Sequence, residues 1–384
     1  MSQMFNMIMD KKIFSISMVK NEADIIESFV RYNTNIMDGM IILDNGSTDN
    51  TLEILKQLKN EGLPIIIFED TDRDYEQATK MNKLLIKAVN EFKADVVVPL
   101  DADEFIISSK QGNPRDIIEQ IESQTFYYVK WRTFVPDFTK NEEFVPARIT
   151  SAREDNLENF YKVIIPKELV KKYDVKLTMG NHGLTFDSRY DEVIKSVFNE
   201  NLRIAHFPIR SKEQTISKIT VGWIYSLSRL KRIEGQGFHQ QIIFNKLKEN
   251  KEVLNENIID FAKSYALTEE LKEVQIKETP LDLSFCKNIK IKYTPQKVEY
   301  ISNILEGSEW LALSYLNYKK ESVKEEERLK SEINDLSRKL NEIKEARILE
   351  KKYLQNKIEE YESSMSWMIT APLRKITLSI KKII

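Results

Sequence analysis

Four short apolar runs, at residues 13–18, 40–43, 64–68 and 94–99, alternate with stretches whose apolar residues recur every three or four positions. Runs this short and this rich in Ile and Val read as strands buried on both faces, and the stretches between them as amphipathic helices. Ile25, Ile26, Phe29 and Val30 share one face of the first helix, and Asn21 is placed to cap it. Leu52, Leu55 and Leu58 carry the second, with Asn50 and Glu53 at capping-box spacing. Ala78, Met81, Leu85, Ala88 and Phe92 carry the third. The pattern β-α-β-α-β-α-β predicts an α/β domain with a mostly parallel sheet and helices on both faces.

The fourth run delivers Leu100-Asp101-Ala102-Asp103-Glu104-Phe105. In open α/β sheets the carboxyl edge of the strands is where ligands bind. On an extended chain Asp101 and Asp103 point the same way, and two converging carboxylates need positive charge between them. A hard divalent ion, Mg²⁺ or Mn²⁺, carrying a diphosphate meets that need. A solvated loop would show the same tripeptide, so the surrounding motifs decide.

Beyond residue 105 the pattern is mixed. Residues 126–131, 159–166 and 202–205 read as strands, the last running into His206-Phe207-Pro208. Ser211 and Gln214 have capping-box spacing ahead of a helix through Trp223 to residue 230. Residues 240–263 read as one helix with Ile243, Leu247, Leu254 and Ile258 on a common face. Residues 268–319 give only mixed short elements. From Glu321 the chain is dominated by Glu, Lys, Arg and Leu, and Leu329, Ile333, Leu336, Leu340 and Ile343 form a heptad seam. Leu354 lies eleven residues on, a stutter, after which Ile358, Tyr361 and Met365 resume the spacing. This predicts a self-associating coiled coil, or a single solvated helix.

Composition narrows the function classes. The net charge of −2 over 384 residues gives no pull toward nucleic acid. The single cysteine, Cys286, excludes an internal disulfide and a cysteine metal cluster and suits a reducing compartment. The first twelve residues lack a signal-peptide pattern, and no apolar run reaches the ~18 residues of a spanning helix. The expected location is the cytoplasm.

With these residues in view, the N-terminal half resembles the family 2 glycosyltransferases of GT-A fold. It looks closest to the bacterial branch with VKNE, LDNGSTD, LDADEF and HFPxRS motifs. Here these are Val19-Lys20-Asn21-Glu22, Leu43 to Asp49, Leu100 to Phe105, and His206-Phe207-Pro208-Ile209-Arg210-Ser211. The resemblance covers about the first 230 residues, with four motifs in order, each at a strand end. It implies a Rossmann-like GT-A domain over 1–230, followed by a mostly helical extension over 231–320. The coiled coil would then span 321–362 and a basic amphipathic tail 363–384.

The resemblance also implies roles. The loops after the first two strands would hold the nucleotide through Asn21, Asp44 and Asn45. Asn82 matches an Asn near the nucleotide in relatives, or is a polar position on its helix. Asp103 is the best direct ligand for Mn²⁺ or Mg²⁺, and Asp101 reaches the metal through water or binds the ribose. Glu104 is an outer acceptor or a plain loop carboxylate. His206 fits a third ligand, since neutral imidazole suits Mn²⁺-like ions, or is a core histidine. His182, in a flexible turn, is a further possible ligand. Arg210 is a candidate partner of the diphosphate because a guanidinium matches phosphate geometry. The general base that inversion requires is expected at Glu154 or Asp155, in a segment that also holds Asp137.

The expected function is metal-dependent transfer of a sugar, with inversion, from a nucleotide-sugar donor to a lipid-linked or polysaccharide acceptor in capsule or lipopolysaccharide synthesis. The alternative is a coiled-coil assembly protein whose transferase-like domain only binds nucleotide. A nucleotidyltransferase would need a glycine-rich phosphate loop after the first strand, which the chain lacks. After Glu362 no acidic residue occurs, while Arg374, Lys375, Lys381 and Lys382 are basic and Trp367, Ile376, Leu378, Ile380, Ile383 and Ile384 apolar. The tail resembles one seen on many bacterial polysaccharide glycosyltransferases. It is expected to attach the protein to the inner face of the cell membrane, or to pack on the catalytic domain.

Overall fold

A computed structural model of the chain describes residues 10–70, 77–154, 157, 159–227, 238–249, 253–267, 274–287, 289–370 and 372–376. The chain divides into two units, Met1–Leu311 and Ala312–Ile384.

The first unit opens as the periodicity predicts: β1 (Ile13–Val19), α1 (Ile26–Asn33), β2 (Gly39–Asp44), α2 (Thr51–Asn60), β3 (Ile65–Glu69), α3 (Gln77–Asn90) and β4 (Val96–Pro99). β1 pairs in parallel with β2 and β4, and β2 with β3. The strands are mostly apolar because successive residues enter different cores, with Ser15 and Ser17 of β1 as buried exceptions. Ile13, Met40, Ile42, Val96 and Val98 join one cluster with α1 and α2. Phe14, Ile16, Ile41, Leu43 and Val97 join another with Met81, Leu85 and Ala88 of α3.

The chain continues through β5 (Glu104–Ser108), α4 (Pro114–Ile118), β6 (Thr125–Val135), α5 (Val145–Arg148), β7 (Ser151–Arg153), β8 (Tyr161–Pro166) and α6 (Lys167–Tyr173). A two-stranded ribbon of β9 (Lys176–Leu177) and β10 (Leu184–Thr185) follows, then β11 (Lys195–Phe198) and β12 (Leu202–His206). β8 joins β4 antiparallel and carries the sheet on to β6. β12 runs antiparallel to β5 and parallel to β6.

Three helices come next: α7 (Lys212–Leu227), α8 (Phe238–Glu249) and α9 (Val253–Ser264). Ile219, Ile243, Ile258 and Phe261 bring them together in a third small core. The single helix expected over 240–263 is therefore two, with 250–252 outside the described residues. Within 231–320 these helices and the start of a further one at Ile301 alternate with irregular chain and one short strand. Residues Ile276–Glu278 form β13, antiparallel to β7, and complete the sheet order β13-β7-β6-β8-β4-β1-β2-β3. Irregular chain then returns to the N-terminal half, where Leu281, Leu283, Phe285, Ile291 and Tyr293 pack on the α1 side of the sheet.

What fixes that return is Glu27, a fully buried carboxylate on α1. It accepts Arg31 Nε at 2.8 Å and the backbone N–H groups of Lys292, Tyr293 and Thr294 at 2.8, 2.7 and 2.7 Å. Short charge-assisted hydrogen bonds of this kind are about twice as strong as neutral ones. Residues 292–294 are thereby part of the sheet domain and not a separate extension.

Two expected caps differ. Asn21 does not cap α1: its φ is +57°, and its Oδ1 accepts the Thr48 N–H at 2.8 Å, tying the β1 loop to the β2 loop. Asn50 makes no cap hydrogen bond; the neighbouring Asp49 accepts the Thr51 N–H at 2.9 Å instead. At α7 half of the expected box forms: Ser211 Oγ accepts the Gln214 N–H at 3.1 Å, while Gln214 Oε1 accepts the Arg210 N–H at 3.1 Å.

A long helix, α10 (Ile301–Ser363), starts in the first unit and makes up most of the second. Leu329, Ile333, Leu336, Leu340 and Ile343 are all exposed along it. After it, Ser364 caps the short α11 (Met365–Ile369), and the Arg374 guanidinium lies 3.5 Å over the Trp367 ring. Leu378, Ile380, Lys381, Lys382, Ile383 and Ile384 of the expected tail lie outside the described residues. Among the described residues no helix is long and apolar enough to cross a membrane.

Candidate active site

Asp101, Ala102 and Asp103 form a tight turn between β4 and β5, not an extended run. Glu104 closes it twice: its N–H donates to the Asp101 carbonyl at 3.0 Å, and its Oε2 accepts the Asp101 N–H at 2.9 Å. The turn sends the two aspartates to different partners. Asp101 Oδ2 meets Lys162 Nζ at 2.6 Å, and the same ammonium lies 3.2 Å from Glu104 Oε2 and donates to the Gly180 carbonyl at 2.9 Å. Gly180 holds φ at +74°, a region open to glycine, so its carbonyl can face the lysine. Burial pushes the Glu104 carboxyl up to about 8, against the pull of Lys162.

Asp103 is the centre of the site and is 5% exposed. β5 and β12 pair with Glu104 opposite His206, and the Phe207 N–H donates to the Asp103 carbonyl at 2.8 Å. This register places His206 Nε2 and Arg210 Nη1 each 3.7 Å from Asp103 Oδ2. The same oxygen forms an ion pair with Lys218 of α7. Burial alone would raise the Asp103 carboxyl, but Lys218 and Arg210 outweigh it and hold the group well below the usual carboxylate range. Burial pushes His206 the other way, down to about 3, so its imidazole is neutral at physiological pH. The ring stacks on Trp131 with centroids 4.0 Å apart, and its Nδ1 is buried with no hydrogen-bond partner among the described residues.

Arg210 is fixed from the far side. Its Nε and Nη2 donate to Asp24 at 2.7 and 2.9 Å, and Nη2 also to Glu22 at 2.7 Å. Burial pushes the Glu22 carboxyl up to about 7, with Arg210 opposing it.

These groups line one cleft of about 390 Å³ at the carboxyl edge of the parallel strands. Asn21 and Asn45 line it from the loops after β1 and β2, Asp101 and Asp103 from the turn, and His206 and Arg210 from the end of β12 and beyond. The four sequence motifs thus meet around one space. Asn45 Oδ1 accepts Lys80 Nζ at 2.6 Å, and Asp44 sits just behind, buried, its Oδ1 accepting the Ser47 N–H at 2.9 Å.

Other expected residues stand elsewhere. Asn82 does not line the cleft: it bonds both backbone groups of Leu177, at 3.0 and 2.8 Å, and so pins β9 to α3. His182 is turned away, with Nδ1 2.7 Å from the Tyr161 carbonyl oxygen. Glu154 is exposed just past the end of β7 and outside the cleft lining; the half-buried Asp137, after β6, is also outside it and caps its own turn through Thr139. Asp155 lies outside the described residues.

Sequence reading missed the lysines. Lys162 had a signal, being a charged residue inside the apolar run of β8; Lys218 had none, being one of many lysines on helices. It also missed Tyr300 and Asn303, which line the cleft from the start of α10 and the residue before it.

The fit of a divalent ion can be judged from the charges. Asp24, Asp101 and Asp103 balance the cations Lys162, Arg210 and Lys218, and Glu22 and Glu104, both raised by burial, stand beside them. Among the described residues no three His, Cys, Asp or Glu side chains are gathered as a full protein cage would require. A Mg²⁺-type site takes only one or two protein ligands and completes its shell with phosphate and water. Asp103 and the neutral His206 beside it fit that smaller donor set.

Comparison with known proteins gives three findings. No curated protein matches the sequence. Solved structures with some likeness include a mannosyltransferase from Pyrobaculum calidifontis in complex with GDP-Man and Mn²⁺, at 12% identity and a TM-score of 0.34, covering 68% of this chain and 77% of that one. Another is glucosyl-3-phosphoglycerate synthase from Mycobacterium tuberculosis in complex with Mn²⁺, UDP and glucosyl-3-phosphoglycerate, at 15% identity and a TM-score of 0.26, covering 55% of this chain and 78% of that one. Residues 16–114, which build the parallel strands and carry the Asp101–Asp103 turn to the cleft, match the model of Glycosyl transferase family 2.

Proposed function

We propose that the protein is a divalent-metal-dependent glycosyltransferase. It moves a sugar, with inversion, from a nucleotide-sugar donor to a hydroxyl of a lipid-linked or polysaccharide acceptor. The observation that carries this reading is the meeting of Asn21, Asn45, Asp103, His206 and Arg210 around one cleft at the carboxyl edge of the sheet. Asp103 and His206 would hold Mn²⁺ or Mg²⁺. Such an ion, when bound, neutralises charge that develops on a departing diphosphate. Arg210 supplies a fixed positive charge beside Asp103, its orientation set by Glu22 and Asp24 before any ligand arrives. Lys162 keeps the Asp101 turn closed from below. Asn21 and Asn45 face the nucleoside from the two loops that Thr48 ties together.

The test is hydrolysis of a panel of nucleotide sugars by the purified protein. One donor should release its nucleoside diphosphate with Mn²⁺ and cease to do so in EDTA. Binding of nucleotides with no hydrolysis of any donor, with or without metal, would instead favour an assembly protein with an inactive transferase-like domain.

We further propose that the exposed heptad seam of α10 is a coiled-coil surface for a second copy of the chain. The tail would hold the protein to an anionic membrane on the cytoplasmic side, where a lipid-linked acceptor resides. Each basic residue near such a surface adds ~1 kcal/mol, so Arg374, Lys375, Lys381 and Lys382 with the neighbouring isoleucines give reversible attachment. A chain cut after Glu362 should lose flotation with anionic vesicles and stay oligomeric in sedimentation, and one cut after Lys319 should lose both. Flotation of the first truncation equal to the full chain removes the anchor, and an unchanged mass of the second removes the coiled coil.

A further inference from the structure

One oxygen at the centre of the cleft is claimed three ways. Asp103 Oδ2 is the atom that faces His206 Nε2 and Arg210 Nη1, each at 3.7 Å, and it is the atom that the Lys218 ammonium contacts directly. The two basic side chains differ in freedom. Arg210 is 2% exposed and held by Asp24, Glu22 and the Phe207 carbonyl. Lys218 is 31% exposed at its side chain and reaches Asp103 from α7 on a flexible four-carbon stem across the cleft wall. A divalent ion on Asp103 must take the place that the ammonium now holds. The displaced ammonium then stands, still within the cleft, beside the space where a metal-bound diphosphate would lie.

We propose that Lys218 is a built-in cation that occupies Asp103 in the free protein and transfers to the donor's diphosphate when the divalent ion binds. The inference rests on the transferase reading above. Its consequence is a coupling. Metal alone must expel an ammonium from its carboxylate, and the nearby Glu22 carboxyl is already held by Arg210. Metal arriving with a nucleoside diphosphate offers the ammonium a new anionic partner. The two ligands therefore strengthen each other's binding, and by linkage the factor is the same in both directions. The lysine acts as a positioning and binding residue, and it keeps divalent ions out of the site until a donor is present.

The experiment is titration of Mn²⁺, followed by the electron paramagnetic resonance of the free ion, without nucleotide and with UDP or GDP as probes. Nucleotide binding is followed by calorimetry. The wild-type chain should bind Mn²⁺ weakly alone and about tenfold or more tightly with the matching nucleotide, within the usual range of coupling between two ligands. Lys218→Met, which keeps most of the stem and removes the charge, should bind Mn²⁺ alone about tenfold more tightly than wild type, bind the nucleotide less well, and lose most of the coupling. Lys218→Arg should behave like wild type. Equal Mn²⁺ affinity of wild type and Lys218→Met without nucleotide overturns the proposal, while nucleotide binding by both leaves the transferase reading standing. Should the Met variant fail to fold, wild-type Mn²⁺ affinity that does not respond to either nucleotide, although that nucleotide binds, overturns it as well. Absence of both Mn²⁺ and nucleotide binding by wild type removes the transferase reading, and this inference with it.

Discussion

Asp103→Asn is expected to lower donor turnover about a thousandfold or more at saturating Mn²⁺, since loss of ~4 kcal/mol of charge stabilisation at ~1.4 kcal/mol per tenfold gives that factor. The side chain keeps its shape, so the Phe207–Asp103 backbone bond and the β5–β12 register should persist. The charges left behind are unequal. Arg210 retains Glu22 and Asp24, whereas Lys218 loses the carboxylate that balances it and turns toward solvent through the open side of the cleft. A modest fall in melting temperature should therefore accompany the large fall in turnover. Steady-state release of nucleoside diphosphate, read beside a thermal melt of the same sample, separates the two effects. Turnover within a few-fold of wild type would take Asp103 out of the reacting centre.

The largest stability effect is expected far from the cleft, at Glu27→Ala. The carboxylate is fully buried and satisfies Arg31 and three consecutive backbone N–H groups at 292–294. Removing one partner of a buried charged network costs about 3–5 kcal/mol, because the groups left behind are neither paired nor hydrated. For a domain of this size that corresponds to a melting temperature lower by roughly 5–8 °C. Glu27→Gln keeps an acceptor oxygen and should fall between the two. Limited proteolysis gives a second reading: cleavage should appear first in the 279–300 segment of the Ala variant. A melt unchanged by Glu27→Ala would show that the segment is held by its apolar contacts alone.

The parallel half of the fold was legible because its signals are local. β1 to β4 are runs of branched residues, and α1 to α3 show clear three-and-four spacing; both patterns survive any reading frame of tertiary contacts. The antiparallel half was harder. β7 and β13 have three residues each, too few for a period, and their pairing joins positions 151–153 to 276–278. The site divides in the same way. Motif residues at strand ends, Asp103 and His206 among them, reach the cleft because each strand end is fixed by a legible strand. Lys218 and Tyr300 enter it from elements placed only by helix packing. The conformation at Asp101 differs from the expected extended chain for a geometric reason. The alternation rule applies to extended chain, and Glu104 folds the tripeptide into a turn, which sends the two aspartates to two lysines. Asn82 was assigned by motif, but its amide faces the backbone of Leu177, a strand of two residues that no pattern announces.

The bond from Glu27 to the Thr294 backbone spans 267 positions of chain. At synthesis rates of roughly 5–20 residues per second, that carboxylate waits on the order of tens of seconds for its partners to be made. During that interval the α1 side of the young sheet is uncovered, and Ile291 and its neighbours are still to come. A ribosome-bound chain that has completed α7 thus holds Asp103, His206, Arg210 and Lys218 before it holds its seal. Arrest or truncation anywhere before residue 292 should yield a species that engages chaperones and does not accumulate as a smaller folded protein. The C-terminal third of the first unit sets the moment at which the N-terminal sheet becomes permanent.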